Sequence, residues 1–139
     1  MDITGTSGTD TVSITGTSAL LEFAGATTDQ ISFGSSAAGT VLLESASSFA
    51  GTVAGLASGD SIDLGNFLFS GSPTISGVTG TGASGTDTTI TITDGAVSTQ
   101  IALLNQFAYQ FAVSASAYTL AADSTASSAG TLLQLAAGH

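Results

Sequence analysis

Short runs rich in Val, Ile, Leu and Thr alternate along this chain with turns built from Gly, Ser, Ala and Asp. The clearest example is Phe49 to Leu64, where Thr52-Val53-Ala54-Gly55-Leu56 and Ser61-Ile62-Asp63-Leu64 flank the turn Ala57-Ser58-Gly59-Asp60. Gly accepts positive φ and Asp bonds its own backbone, so both break regular structure there. One phrase recurs: Asp10-Thr11-Val12-Ser13-Ile14, then Asp29-Gln30-Ile31-Ser32-Phe33, then Asp60-Ser61-Ile62-Asp63-Leu64. Between the copies, Leu20-Leu21-Glu22-Phe23 answers Val41-Leu42-Leu43-Glu44.

Short strands with frequent turns predict an all-β protein: a sandwich, a barrel or a solenoid. The phrase at Asp10 returns at Asp29, a spacing of 29 − 10 = 19 residues that holds two strands. That spacing favours a short parallel β-solenoid, or β-roll-like coil, over 1–70, with a β-sandwich as the alternative. Asp94-Gly95 stands between Thr88-Thr89-Ile90-Thr91-Ile92-Thr93 and Val97-Ser98-Thr99-Gln100-Ile101. It predicts an antiparallel hairpin inside a C-terminal part, 71–139, of the same single domain. Ile101 to Phe111 reads either as a short helix or as a strand entering a turn at Asn105-Gln106. Aromatic residues at 67, 69, 107, 109, 111 and 118 place the larger part of the aromatic core in that C-terminal part. The N-terminal coils are expected to pack with Val, Ile, Leu and Ala.

Composition sharpens this picture. The 139 residues contain no Lys or Arg against ten Asp and Glu, a formal net charge of -10. Nucleic acid is excluded as a partner, because its phosphates must be met by cations. An anionic membrane surface is excluded for the same reason. No side-chain salt bridge with Lys or Arg can form, so crowded carboxylates must be relieved by water, backbone N–H groups or bound cations. Charged residues are only 7% of the chain, which separates it from disordered acidic proteins. Cysteine is absent, excluding disulfides and thiolate chemistry. No run approaches the roughly 18 apolar residues of a membrane span, and no N-terminal signal peptide is visible. Read alone, this suits a cytoplasmic protein or an excised fragment, and equally a protein exported by a C-terminal signal.

Candidate chemistry is sparse. Gly5-Thr6-Ser7-Gly8-Thr9-Asp10-Thr11-Val12-Ser13 fits four of the five fixed positions of the calcium-binding nonapeptide G-G-x-G-x-D-x-U-x. Gly82-Ala83-Ser84-Gly85-Thr86-Asp87-Thr88-Thr89-Ile90 fits three. Glycines there let carbonyls point inward and the Asp supplies a hard anionic oxygen. Asp10 and Asp87 are therefore candidate calcium ligands; otherwise each caps its turn through its own backbone. Asp60 and Asp63, three apart on an extended chain, fall on opposite faces and make no acid/base pair. Glu22 and Glu44 end equivalent strands and are expected to lie near each other on a solvated edge or at an ion. His139, the sole histidine, cannot form a triad or a multi-histidine metal site alone. No serine or threonine stands beside a base, and no G-x-S-x-G elbow is present, so no enzyme is expected. Thr86, Thr88, Thr89, Thr91 and Thr93 include a run of alternate threonines, like the flat threonine faces of ice-binding solenoids, or ordinary half-exposed strand positions.

Taken together, Phe49-x-Gly51-Thr52-Val53-x-Gly55-Leu56-x-x-Gly59-Asp60-x-Ile62-Asp63-Leu64, Thr91-x-Thr93-Asp94-Gly95, Ile101-Ala102-Leu103-Leu104, Tyr118-Thr119-Leu120 and Gly130-Thr131-Leu132 resemble large repetitive RTX-like proteins of Gram-negative bacteria. These are exported by type I secretion and include surface-layer proteins and adhesins. The resemblance implies an extracellular or cell-surface location reached through an uncleaved C-terminal signal, so 71–139 would include a capping, secretion-signal-like region. The tandem nonapeptide array of the family is missing, and the chain is far shorter than its typical members. The expected function is a structural protein that self-assembles end to end into fibres or a surface matrix. The alternative is a calcium-stabilised adhesin module that recognises a glycan or surface.

Overall fold

The computed structural model describes residues 2–3, 10–25, 28–35, 38–65, 73–81, 87–104, 118–122 and 130–135. They form an all-β structure of twelve strands in two sheets. The strands are β1 (Asp2–Ile3), β2 (Thr11–Ile14), β3 (Thr17–Phe23), β4 (Gln30–Phe33), β5 (Ala38–Leu43), β6 (Thr52–Ala54) and β7 (Ser61–Leu64). Then follow β8 (Thr74–Thr81), β9 (Asp87–Asp94), β10 (Val97–Leu104), β11 (Tyr118–Ala122) and β12 (Thr131–Leu135). One sheet has the order β1-β3-β5-β7-β12-β11 and the other β2-β4-β6-β10-β9-β8.

From β1 to β7 the chain changes sheet at every turn, so each strand pairs in parallel with the strand two places earlier. The phrases at Asp10 and Asp29 therefore stack on each other, Val12 registering with Ile31 and Ile31 in turn with Val53. The third copy, at Asp60, falls in the other sheet, where Leu21 registers with Val41 and Val41 with Ile62. Side chains alternate across a strand, so one set of these apolar residues points between the sheets. Corners keep the backbones in step as well. Gln30 N–H donates to the Asp10 carbonyl at 2.8 Å, Gly34 N–H to Ile14 at 2.8 Å and Gly65 N–H to Leu43 at 3.0 Å. Successive coils approach closely there: an added Cβ at Gly55, which has φ +72°, would lie 2.5 Å from the Phe33 carbonyl oxygen. Ser18, with φ +61°, marks the register shift between β3 and β5.

After β7 the pairing changes. β8, β9 and β10 form an antiparallel meander whose last strand, β10, docks in parallel on β6. β11 and β12 form an antiparallel pair, and β12 runs antiparallel to β7. The hairpin expected at Asp94-Gly95 is present, with Asp94 opposite Val97. Gly95 has φ +62° whereas Ala96 does not take positive φ, the sign pattern of a II′ turn with Gly in first place. A 3-10 turn, Ala46–Ser48, crosses towards this added part, and the buried Thr99 hydroxyl donates to the Ala46 carbonyl at 2.7 Å.

The core is one cluster running between the two sheets. Its N-terminal share is not purely aliphatic: Phe23, Phe33 and Phe49 are all buried. This corrects the expectation that Val, Ile, Leu and Ala pack the early coils. Tyr118 is the buried aromatic of the later strands, and positions 67, 69, 107, 109 and 111 lie outside the described residues. So does 105–111, while Ile101–Leu104 completes a strand. Among the described residues there is no α-helix, and no helix is long and apolar enough to cross a membrane.

Candidate assembly surface and carboxylate positions

Asp10 immediately precedes β2 and its residue is exposed. Its backbone N–H donates to Asp29 Oδ1 at 3.1 Å, so the chain at Asp10 is held by the next coil. The glycines at 5 and 8 lie outside the described residues. Asp87 opens β9 opposite Thr81, and its side chain also lies outside them. In the sheet order, β2 and β9 are four strand steps apart, about 19 Å. The structure thus does not bring Asp10 and Asp87 together. Among the described residues, no group of three or more His, Cys, Asp or Glu is placed to hold a metal.

The other copies of the phrase do something the spacing did not indicate. Asp29 and Asp60 are buried, and each carboxylate reaches back one coil to a backbone N–H. Asp60 Oδ1 accepts from Gly39 N–H at 3.2 Å, and Oδ2 accepts from Ala57 N–H at 3.0 Å inside its own turn. Burial pushes the Asp60 carboxyl above its ordinary value, opposed by the bonds from Ala57 and Gly39. The recurrence of Asp immediately ahead of β2, β4 and β7 was the available signal. It does not say which backbone the carboxylate meets.

Asp63 lies on the face of β7 away from Ile62 and Leu64, yet it is only 4% exposed. All four residues of β7 are buried, so this strand is covered on both faces. A Cβ added at Gly130 would fall 2.5 Å from Asp63 Oδ1 and 3.2 Å from the Leu64 carbonyl oxygen, so the chain entering β12 approaches β7 closely. Glu22 registers with Leu42, whereas Glu44 follows the end of β5 and bonds through its N–H to the Phe23 carbonyl at 3.1 Å. The two glutamates are two residues out of register, so they are diagonal neighbours on adjacent chains rather than directly opposite. His139 lies outside the described residues.

The face of the β2–β8 sheet turned away from the core is free of charge along one whole row. Thr11, Gln30, Thr52, Ala102, Thr89 and Thr79 register in turn across all six strands. Beside them lie Gln100 with Thr91, and Ser98 with Thr93 and Thr74. Ser76 Oγ and Thr93 Oγ1 share a hydrogen bond of 2.7 Å. Thr89, Thr91 and Thr93 therefore belong to a broad hydroxyl-bearing face, while Thr88 is buried.

Among the described residues, the strand order of each sheet ends without a further partner: β1 and β2 at one end of the stack, β8 and β11 at the other. Such edges present unpaired N–H and C=O groups, which proteins often guard with Lys or Pro. This chain has no Lys and one proline, Pro73, just before β8. The sequences of β2, β8 and β11 contain no charged residue. The core is also incompletely closed there. The partly buried hydrophobics packed against it are Val12, Ala19, Ile75, Val78 and Leu120, all on β2, β3, β8 or β11. A groove of about 180 Å³ opens between β2 and β3, lined by Val12, Ile14, Ala19 and Leu20 among others, and Leu20 is 50% exposed. No family model, no curated protein and no solved structure matches this chain.

Proposed function

We propose that this chain is an extracellular structural protein that joins further copies of itself, end to end, into fibres or a surface matrix. The observation that supports this reading is that, among the described residues, four of the five partly buried hydrophobics packed against the core, Val12, Ile75, Val78 and Leu120, lie on the end strands β2, β8 and β11. An open, nearly uncharged edge templates pairing with another chain, and burying Val12, Ile75, Val78 and Leu120 at a joint adds about 25 cal/mol for each Å² covered. The resemblance to RTX-like, type I-secreted proteins supports the extracellular setting, and the role is structural rather than catalytic. Electron microscopy and sedimentation of the purified protein, with and without calcium, test it. Fibres or sheets are expected; a monomer persisting at high concentration in both conditions refutes it.

A second reading is favoured by the uncharged row from Thr11 to Thr79: a binding module whose hydroxyl-bearing face meets a glycan or hydrated surface, with calcium near Asp10 or Asp87 as a structural ion. Calorimetric titration with calcium and a glycan panel tests it. Absence of both heat and a stability gain removes the ion.

A further inference from the structure

The two ends of the molecule match in strand direction. In one sheet β2, β4, β6 and β10 are parallel, β9 is reversed, and β8 reverses again. β8 therefore runs the same way as β2. In the other sheet β1, β3, β5 and β7 are parallel, β12 is reversed, and β11 reverses again. β11 therefore runs the same way as β1. Both sheets also contain six strands, so one translation carries each sheet onto its own continuation. At ordinary strand spacing that step is about 29 Å.

We infer that copies join head to tail, β8 of one copy pairing in parallel with β2 of the next and β11 with β1, to give a polar filament. This deepens, and rests on, the self-association reading above. Head-to-head joints would set β2 against β2, an isologous contact that closes at a dimer, whereas head-to-tail contacts propagate. Charge permits it: three of the four end strands carry no charged residue, so no carboxylate within them has to be buried at the joint. Register agrees too. The row Thr11–Gln30–Thr52–Ala102–Thr89–Thr79 crosses a whole copy, so its continuation sets Thr79 of one copy beside Thr11 of the next. Inside the joint, Val12 and Ile14 would extend the apolar interior begun by Ile75 and Val78.

Cysteine cross-linking tests this cleanly, since the chain has no cysteine and Thr11 and Thr79 are both exposed. Under mild oxidation the full chain carrying T11C and T79C together should give a ladder of covalent multimers that collapses on reduction. An equimolar mixture of T11C and T79C single variants should give mainly disulfide-linked dimer, and each single variant alone should form no disulfide-linked species. Circular dichroism matching the parent verifies that each variant is folded. Dimers from T11C alone, or from T79C alone, overturn the polarity while leaving self-association standing. Fibres that form without the mixed disulfide overturn it as well. No assembly by any chain, parent included, defeats both this inference and the reading beneath it.

Discussion

Asp60 Oδ1 lies 3.2 Å from the backbone nitrogen of Gly39, joining residues one full coil apart in the chain. The same carboxylate holds Ala57 N–H at 3.0 Å with its other oxygen. One side chain thus closes its own turn and fastens that turn to the coil before it. Asp60→Ala leaves two donors without their acceptor, at about 1–3 kcal/mol for each that stays buried. Asp60→Asn keeps one acceptor oxygen and should lose less. Denaturant titration of the three proteins checks the order: parent most stable, Asn intermediate, Ala least. Equal stability of Ala and parent would contradict it.

Stability should respond to pH in an unusual direction. The folded-state pKa of Asp60 is raised by burial, so its contribution is fully present below the unfolded value and is lost as pH rises through the folded value. Acidification also reduces the self-repulsion of a chain with net charge -10 and has no Lys or Arg ion pair to break. The denaturation midpoint should therefore rise as pH falls from neutral towards the ordinary carboxylate range. Asp60→Asn should flatten part of that rise.

Tyr118 acts at the alkaline end. Burial pushes its phenol up to about 12, and Thr88 opposes the shift without forming a well-made hydrogen bond to the hydroxyl. Its contribution is present below the ordinary value of 10 and is lost as pH rises through about 12. Tyr118→Phe should be nearly neutral at neutral pH and should lessen the loss of stability across that alkaline window. Midpoints measured for both proteins through the window decide it.

Three glycines should separate by environment. A Cβ at Gly51 collides with the Asp29 carbonyl oxygen, and one at Gly55 lies 2.5 Å from that of Phe33 with φ +72°. Gly51→Ala and Gly55→Ala should each cost about 1–3 kcal/mol or more. Gly95 has φ +62° but nothing within 4 Å of its added Cβ, so Gly95→Ala should cost only the backbone term, about 1–2 kcal/mol. Thermal unfolding of the three variants checks the ranking.

Assembly should depend on salt. Head-to-tail joining adds a formal charge of -10 for every copy, about 29 Å of filament. At 0.1 M salt the screening length is about 10 Å, so added salt weakens repulsion between neighbouring copies. Light scattering should show faster onset as ionic strength rises, and faster still with divalent cations. Onset independent of salt would contradict the charge argument.

The local pattern of this chain determined a great deal. Apolar residues at every second position, such as Val12 and Ile14 or Ile62 and Leu64, specify strands with one inward face, because side-chain alternation is a property of the strand itself. The spacing between Asp10 and Asp29 specified which phrases would stack, and Asp94-Gly95 specified a hairpin through the φ that glycine allows. The absence of Lys and Arg leaves the chain without the side chains that usually meet phosphates, a property of composition alone. The tertiary structure decided what depends on residues distant in the chain. It turned the Asp29 and Asp60 carboxylates onto the previous coil, docked β10 rather than β8 on β6, and set Glu44 out of step with Glu22. It also reversed β9 and β12 so that both ends of the molecule run in one direction. Strand pairing is a non-local choice, settled by loop closure and shared burial, and no window of neighbouring residues contains it.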